Sequence, residues 1–231
     1  MKTRILPVVL LAGLLAACGE DKTATSQPPA TSANTAGTAA PALPADAPAV
    51  GTPIADVAKS AEGDKPKQDG EFTEIEWENL ELPGQGLADI IKKYQPQIDA
   101  IPEGDPAEDA VLEKMQAELN SAPVNPELNG KKIKIPGFIS PLEVDEAKGM
   151  VKEFLLVPYF GACIHVPPPP LNQTLLVKPQ EGKSIGMERM YEPVWVFGTL
   201  STDFAHTDLA DAGYQINDAK VEIYQDDEGQ Q

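Results

Sequence analysis

The sequence predicts an α+β protein: a small OB-like β-barrel preceded by two packing helices, with a disordered N-terminal tether. Three observations lead there. From Asn129 onward, about five short apolar runs are separated by uneven loops rich in Gly and Pro. Before them, between Leu87 and Leu119, apolar residues recur at spacings of three and four. Before Gly70, once the first apolar run has passed, large apolar residues almost vanish. There is no repeated strand–helix alternation, which argues against a doubly wound sheet.

The chain begins with a secretory pattern. Lys2 and Arg4 precede an apolar run over 5–17, which ends in Leu15-Ala16-Ala17-Cys18-Gly19. A positive start, a short apolar region and small residues before a cysteine describe a lipoprotein leader. The run has 13 residues, too short to span a bilayer alone. Residues 1–17 are therefore expected to be removed and Cys18 to carry lipid. Gly19 in place of an aspartate favours the outer membrane, with the protein facing the periplasm. Residues 18–70 form an Ala/Pro/Thr-rich linker that cannot bury enough surface to offset chain entropy. Its typical reach as a coil is on the order of 40 Å.

Residues 71–126 form a helical segment. Leu87, Ile90, Ile91, Tyr94 and Ile98 mark the first helix, with Pro96 disturbing its last turn. Asp105, Pro106 and Glu108 signal the start of the second, whose stripe is Val111, Leu112, Met115 and Leu119. Both stripes are expected to pack against the domain that follows. The barrel is assigned to 127–225. Its strands are expected around Ile133 to Ile139, at 153–157, at 174–177, at 194–200 and at 213–224, with Pro136-Gly137 marking a bulge or an edge. Residues 226–231 are an acidic tail.

Charge and cysteine count bound the function. The formal charge is −18, which repels nucleic acid and anionic headgroups. Cys18 and Cys163 are the two cysteines. With Cys18 lipidated, Cys163 is left alone in an oxidising compartment: buried and inert, metal-bound, or open to a partner.

Reactive groups concentrate around that cysteine. Residues 154–173 read Phe-Leu-Leu-Val-Pro-Tyr-Phe-Gly-Ala-Cys-Ile-His-Val, four prolines, Leu171, Asn172 and Gln173. On an extended segment Cys163 and His165 would share a face, about 7 Å apart at the backbone, and could converge on one ion. Thiolate and imidazole are natural zinc ligands, but two donors are fewer than a site needs. Glu143 and His206 are the candidates to add a ligand, and Asn172 could orient the imidazole from behind. The competing reading is structural: a buried cysteine and a hydrogen-bonded histidine under a proline-stiffened loop. A third reading makes Tyr159, Phe160, Pro167, Pro168, Pro169, Pro170 and Leu171 a stiff docking surface. A cysteine-dependent enzyme ranks last, because no oxyanion hole, orienting carboxylate or resolving cysteine is identifiable.

The same stretch carries a resemblance. Gly161 to Val166, the proline run and Asn172-Gln173 are combined with Leu128-Asn129-Gly130-Lys131, Ile135-Pro136-Gly137-Phe138, Pro141-Leu142-Glu143 and Pro193-Val194-Trp195-Val196. Together they resemble a bacterial lipoprotein family of unknown function, over roughly residues 77–224. Leu171 stands where that family commonly continues the prolines. The resemblance implies a role in envelope metal handling beside zinc-regulated ABC transporter components. The combined expectation is an envelope lipoprotein with a non-catalytic binding or accessory role, for zinc or a zinc transporter, through Cys163 and His165.

Overall fold

A computed structural model describes residues 43–57, 68–102 and 104–224. Five strands make the barrel: β1 (Lys132–Asp145), β2 (Met150–Val157), β3 (Leu175–Pro179), β4 (Val194–Ser201) and β5 (Tyr214–Ile223). Their order around the wall is β1-β2-β3-β5-β4, and a second pairing of β1 with β4 closes it. All neighbours are antiparallel except β3 and β5, which run parallel. This is the closed five-stranded Greek-key order of an OB barrel, and closure removes the exposed edges an open sheet would present.

The length of β1 makes closure possible. Lys132 to Gly137 pair with β4, whereas Phe138 to Asp145 pair with β2. The change of partner falls at Gly137. A Cβ there would lie 2.8 Å from Leu156 Cγ and 3.0 Å from the Val157 carbonyl oxygen, so glycine is what lets β1 cross so close to β2. Pro136 interrupts nothing, since the strand runs through it. The other edge of β1's first half is covered by Phe72–Glu74, which adds in parallel with Thr73 opposite Ile133. In β5, Asp218 sits at φ 54° where the register with both neighbours shifts. It is a bulge at a residue type that tolerates left-handed backbone.

Side chains alternate across the wall as a half-buried strand requires. Val194 and Val196 point into the core while Trp195 between them faces out, and Ile133, Ile135, Phe154, Leu156, Leu175, Val177 and Ile216 complete the interior.

Two helices precede the barrel: α1 (Leu87–Asp99) and α2 (Ala107–Asn120). The Glu81 carboxylate accepts the Leu87 amide at 3.0 Å and so caps α1, while Asp105 caps α2 through the Ala107 amide. Pro96 costs α1 one hydrogen bond but does not end it before Asp99. The two apolar stripes meet each other rather than the barrel. Ile90, Tyr94, Leu119 and Ala122 form a separate small core, reinforced where Tyr94 and Lys93 both donate to Glu118.

Residues 43–57 fall inside the stretch expected to be linker, yet they lie against the barrel. Gly51 donates to the Phe160 carbonyl, Phe160 to the Thr52 carbonyl, and Ile54 to the Pro158 carbonyl at 2.7 Å. Ile54 is buried. Buried Ile54, with Leu43 and Val57 also packed against the core, and three backbone hydrogen bonds turn this part of the Ala/Pro-rich stretch into a strap. Among the described residues no helix is long and apolar enough to cross a membrane. Cys18, the 1–17 leader pattern and the 226–231 tail lie outside the described residues.

Candidate functional site

The segment carrying Cys163 and His165 is not extended. It is a compact turn in which the Gly161 carbonyl oxygen accepts the amides of His165 at 2.8 Å and of Ile164 and Val166 at 3.3 Å. Gly161 (φ 80°) and Cys163 (φ 66°) both adopt left-handed backbone. The alternation that would have placed Cys163 and His165 on one face is therefore lost. Cys163 is half-buried and packs against the barrel core, whereas His165 is exposed. Burial pushes the Cys163 thiol up to about 11, partly offset by the Ser140 hydroxyl. Ser140 itself is buried and donates to the Ala162 carbonyl at 2.7 Å, tying the turn to β1.

The other proposed ligands are engaged elsewhere. Glu143 pairs with Lys152 on the neighbouring strand. His206 lies on a separate two-stranded hairpin, Ala205–His206 with Asp211–Ala212, and its Nδ1 is 2.6 Å from Asp211. Among the described residues no three His, Cys, Asp or Glu side chains come together in a way that could hold a metal ion. Asn172 does not reach the imidazole: it is buried and donates to the Pro123 carbonyl at 3.3 Å.

The expected docking surface is only partly on the surface. Pro167 and Pro168 are exposed, but Pro169, Pro170 and Phe160 are buried. The Phe160 ring meets Phe138 edge-on, 5.5 Å between centroids. The end of the proline run is drawn inward by hydrogen bonds: the Leu171 carbonyl accepts Gly213, and the Pro170 carbonyl accepts both the Gln173 amide and the Thr174 hydroxyl. Tyr159 is half-buried, donates to the Pro167 carbonyl at 3.0 Å, and is pushed up to about 12 by burial and then by the neighbouring Cys163.

A different feature emerges at the root of this motif. A cleft of about 470 Å³ opens between the strap (Pro53, Ile54), residues 74–81, the start of α1 (Leu87, Ile91) and the outer wall of the barrel (Pro136, Trp195). Pro158, Tyr159 and Gln173, from the two ends of the motif, line it as well. Buried Gln173 donates to the Trp77 carbonyl at 2.9 Å, and the Trp77 indole donates to the Pro136 carbonyl at 2.8 Å. The same strut that buries Pro170 thus holds Trp77 against the barrel wall. Both of the chain's two tryptophans line this cleft. No local pattern points to it, because its walls come from segments more than a hundred residues apart.

Residues 76–223 match the family described as Protein of unknown function (DUF3299). The chain belongs to the DUF3299 family. A crystal structure of a DUF3299 family protein from Pseudomonas aeruginosa PAO1 is 40% identical, with a TM-score of 0.50, over 68% of this chain and 99% of that one. No curated protein matches the chain. The region matched to DUF3299 begins one residue before Trp77 and ends one before Tyr224, so it takes in the barrel, both helices and most of the cleft lining. The strap lies before it.

Proposed function

We propose that this DUF3299 protein is a non-catalytic binding protein of the bacterial cell envelope, which holds an apolar ligand in the cleft beside Trp77 and Trp195. The observation that carries this reading is the lining. Ile54, Trp77, Leu87, Ile91, Pro136, Trp195 and Tyr224 make a concave, mostly apolar surface of about 470 Å³, and Ile91 remains 40% exposed within it. That volume falls in the range of small-molecule sites, roughly 300–1,000 Å³. Among the described residues no cysteine, serine or histidine lines it, so it lacks a thiol–imidazole or hydroxyl–imidazole pair. The leader pattern ending at Cys18 supports a lipid-anchored protein facing the periplasm, and Gly19 favours the outer membrane.

Intrinsic fluorescence tests the reading, because both tryptophans report on the cleft. The full chain carrying Cys18→Ser, which blocks lipid attachment, is titrated with octyl glucoside below its micelle threshold. A saturable spectral shift is expected, with a rise in thermal midpoint. At a hundred times Kd the ligand should stabilise the fold by about 2.7 kcal/mol. An unsaturable or absent response overturns the reading.

Zinc handling in support of an envelope ABC transporter is the second reading, drawn from the family resemblance and from Cys163 and His165 sharing one turn. Among the described residues these two donors do not complete a four-ligand site, so a zinc ion held there would draw its remaining ligands from outside them, as from a partner molecule. Zinc titration of Cys163→Ser and His165→Ala variants separates the readings: stoichiometric binding lost in both supports zinc, and no binding to the parent chain removes it.

A further inference from the structure

The cleft is electrically one-sided. Glu74, Glu76, Glu78 and Glu81 line it, and among the described residues no lysine, arginine or histidine does. Lys134 lies 3.4 Å from Glu74 and offsets that carboxylate, whereas Glu76, Glu78 and Glu81 have no basic partner among the described residues. The opposite wall is aromatic. Trp195 and Tyr224 pack with centroids 5.2 Å apart and planes tilted by 30°. The Lys134 ammonium rests 4.6 Å from the Trp195 ring centroid, so this face already receives one cation. Aromatic faces attract cations through their quadrupole, and nearby carboxylates deepen that attraction in a partly dry site.

We infer that the cleft selects a small cationic amphiphile, with an apolar body lying against Ile54, Leu87 and Ile91 and a quaternary or protonated amine directed toward Glu78 and Glu81. The inference rests on the cleft being a binding site, as proposed above. Fatty acids and anionic lipids meet the same carboxylates and are repelled. Burial already pushes the Glu81 carboxyl up, against the Leu87 amide that lowers it, and Glu78 and Asp89 add repulsion. A cation beside Glu81 relieves that standing cost. The cleft volume of about 470 Å³ suits a drug-sized molecule rather than a folded partner.

Three probes of equal chain length separate the possibilities: octyltrimethylammonium, octyl glucoside and octyl sulfate, each below its micelle threshold, with tryptophan fluorescence of the Cys18→Ser chain as the readout. At low ionic strength the cation is expected to bind roughly tenfold more tightly than the neutral probe, the anion weakest, and added salt should narrow the gap. Glu78→Gln alone should reduce the preference, and Glu78→Gln with Glu81→Gln should bring cation and neutral probe within about twofold. The side-chain amide introduced by Glu81→Gln keeps an oxygen for the Leu87 amide, and far-UV circular dichroism verifies that the variants are folded. Equal affinity for cation and neutral probe overturns the charge selectivity while the cleft reading stands. A preference unchanged in the folded double variant overturns the assigned carboxylates. No response to any probe overturns both.

Discussion

Tyr214, in the last barrel strand, donates its hydroxyl to the Leu80 carbonyl at 2.6 Å across 134 residues of sequence. The same oxygen accepts the Asn125 amide at 2.5 Å. One buried phenol therefore ties both ends of the helical segment, 80 before α1 and 125 after α2, to the barrel interior. Burial pushes its pKa up to about 12, with the Asn125 amide pulling the other way and Glu81 adding a little.

Tyr214→Phe keeps the ring and removes the hydroxyl. It strands a carbonyl and an amide, at a cost of about 1–3 kcal/mol. The expected result is a lower midpoint in urea with an unchanged slope, since the folded state keeps its compactness. A midpoint equal to the parent's would mean that the helical segment is held by other contacts.

Cys163 should react slowly. A thiol raised to about 11 by burial is about a hundredfold less ionised near neutral pH than one at its ordinary value of 9. Iodoacetamide modification of the Cys18→Ser chain should therefore be slow when native and ordinary in denaturant. Stability follows with the matching sign: a raised thiol stabilises the fold fully below pH 9, and that contribution is lost as pH climbs through about 11. Rapid native labelling would instead mark a poised nucleophile and revive the enzyme reading.

The φ of 66° at Cys163 predicts an inverted order of substitutions. Glycine adopts left-handed backbone freely, whereas for other residues it costs roughly 1–2 kcal/mol, and most for β-branched ones. Cys163→Val should be less stable than Cys163→Gly in thermal melts, although valine is the better match for a half-buried apolar setting. The opposite order would mean that side-chain packing, not backbone conformation, governs this turn.

Glu81 gives a pH prediction. Its carboxyl is raised above 4.5 by burial first, so the folded state holds that proton more tightly than the unfolded state does. The benefit is complete below pH 4.5 and is lost as pH rises through the raised value, which leaves the charged form as a cost at neutrality. Glu81→Gln should therefore raise the thermal midpoint at pH 7 and lose that advantage in acid. A lower midpoint at pH 7 would show that the charge itself is needed to cap α1.

Much of the fold is legible in the sequence and little of the site. Val194 to Leu200 announces a strand through β-branched and aromatic alternation, and Asp105-Pro106 announces α2, because these signals are local. β1 is longer than its sequence suggests, since Pro136 and Pro141 resemble stops; closure of the barrel carries the strand through both. The strap is hidden because Leu43, Val50, Ile54 and Val57 are scattered among alanines and prolines without a helix or strand period, and the hydrogen bonds with Pro158 and Phe160 leave no sequence trace. Cys163 and His165 look as if they face one way, because nothing in the sequence marks a non-glycine residue as left-handed. The cleft needs Ile54, Trp77, Ile91 and Trp195 together, and only tertiary folding brings them there.

The central claim is that a ligand lodges between Trp77 and Trp195. A crystal structure of the Cys18→Ser chain grown with octyltrimethylammonium tests it most directly. The account predicts the alkyl chain against Ile54 and Ile91 and the ammonium group beside Glu78 and Glu81. Occupancy at the Cys163 turn instead, or an empty cleft at saturating probe, would contradict it.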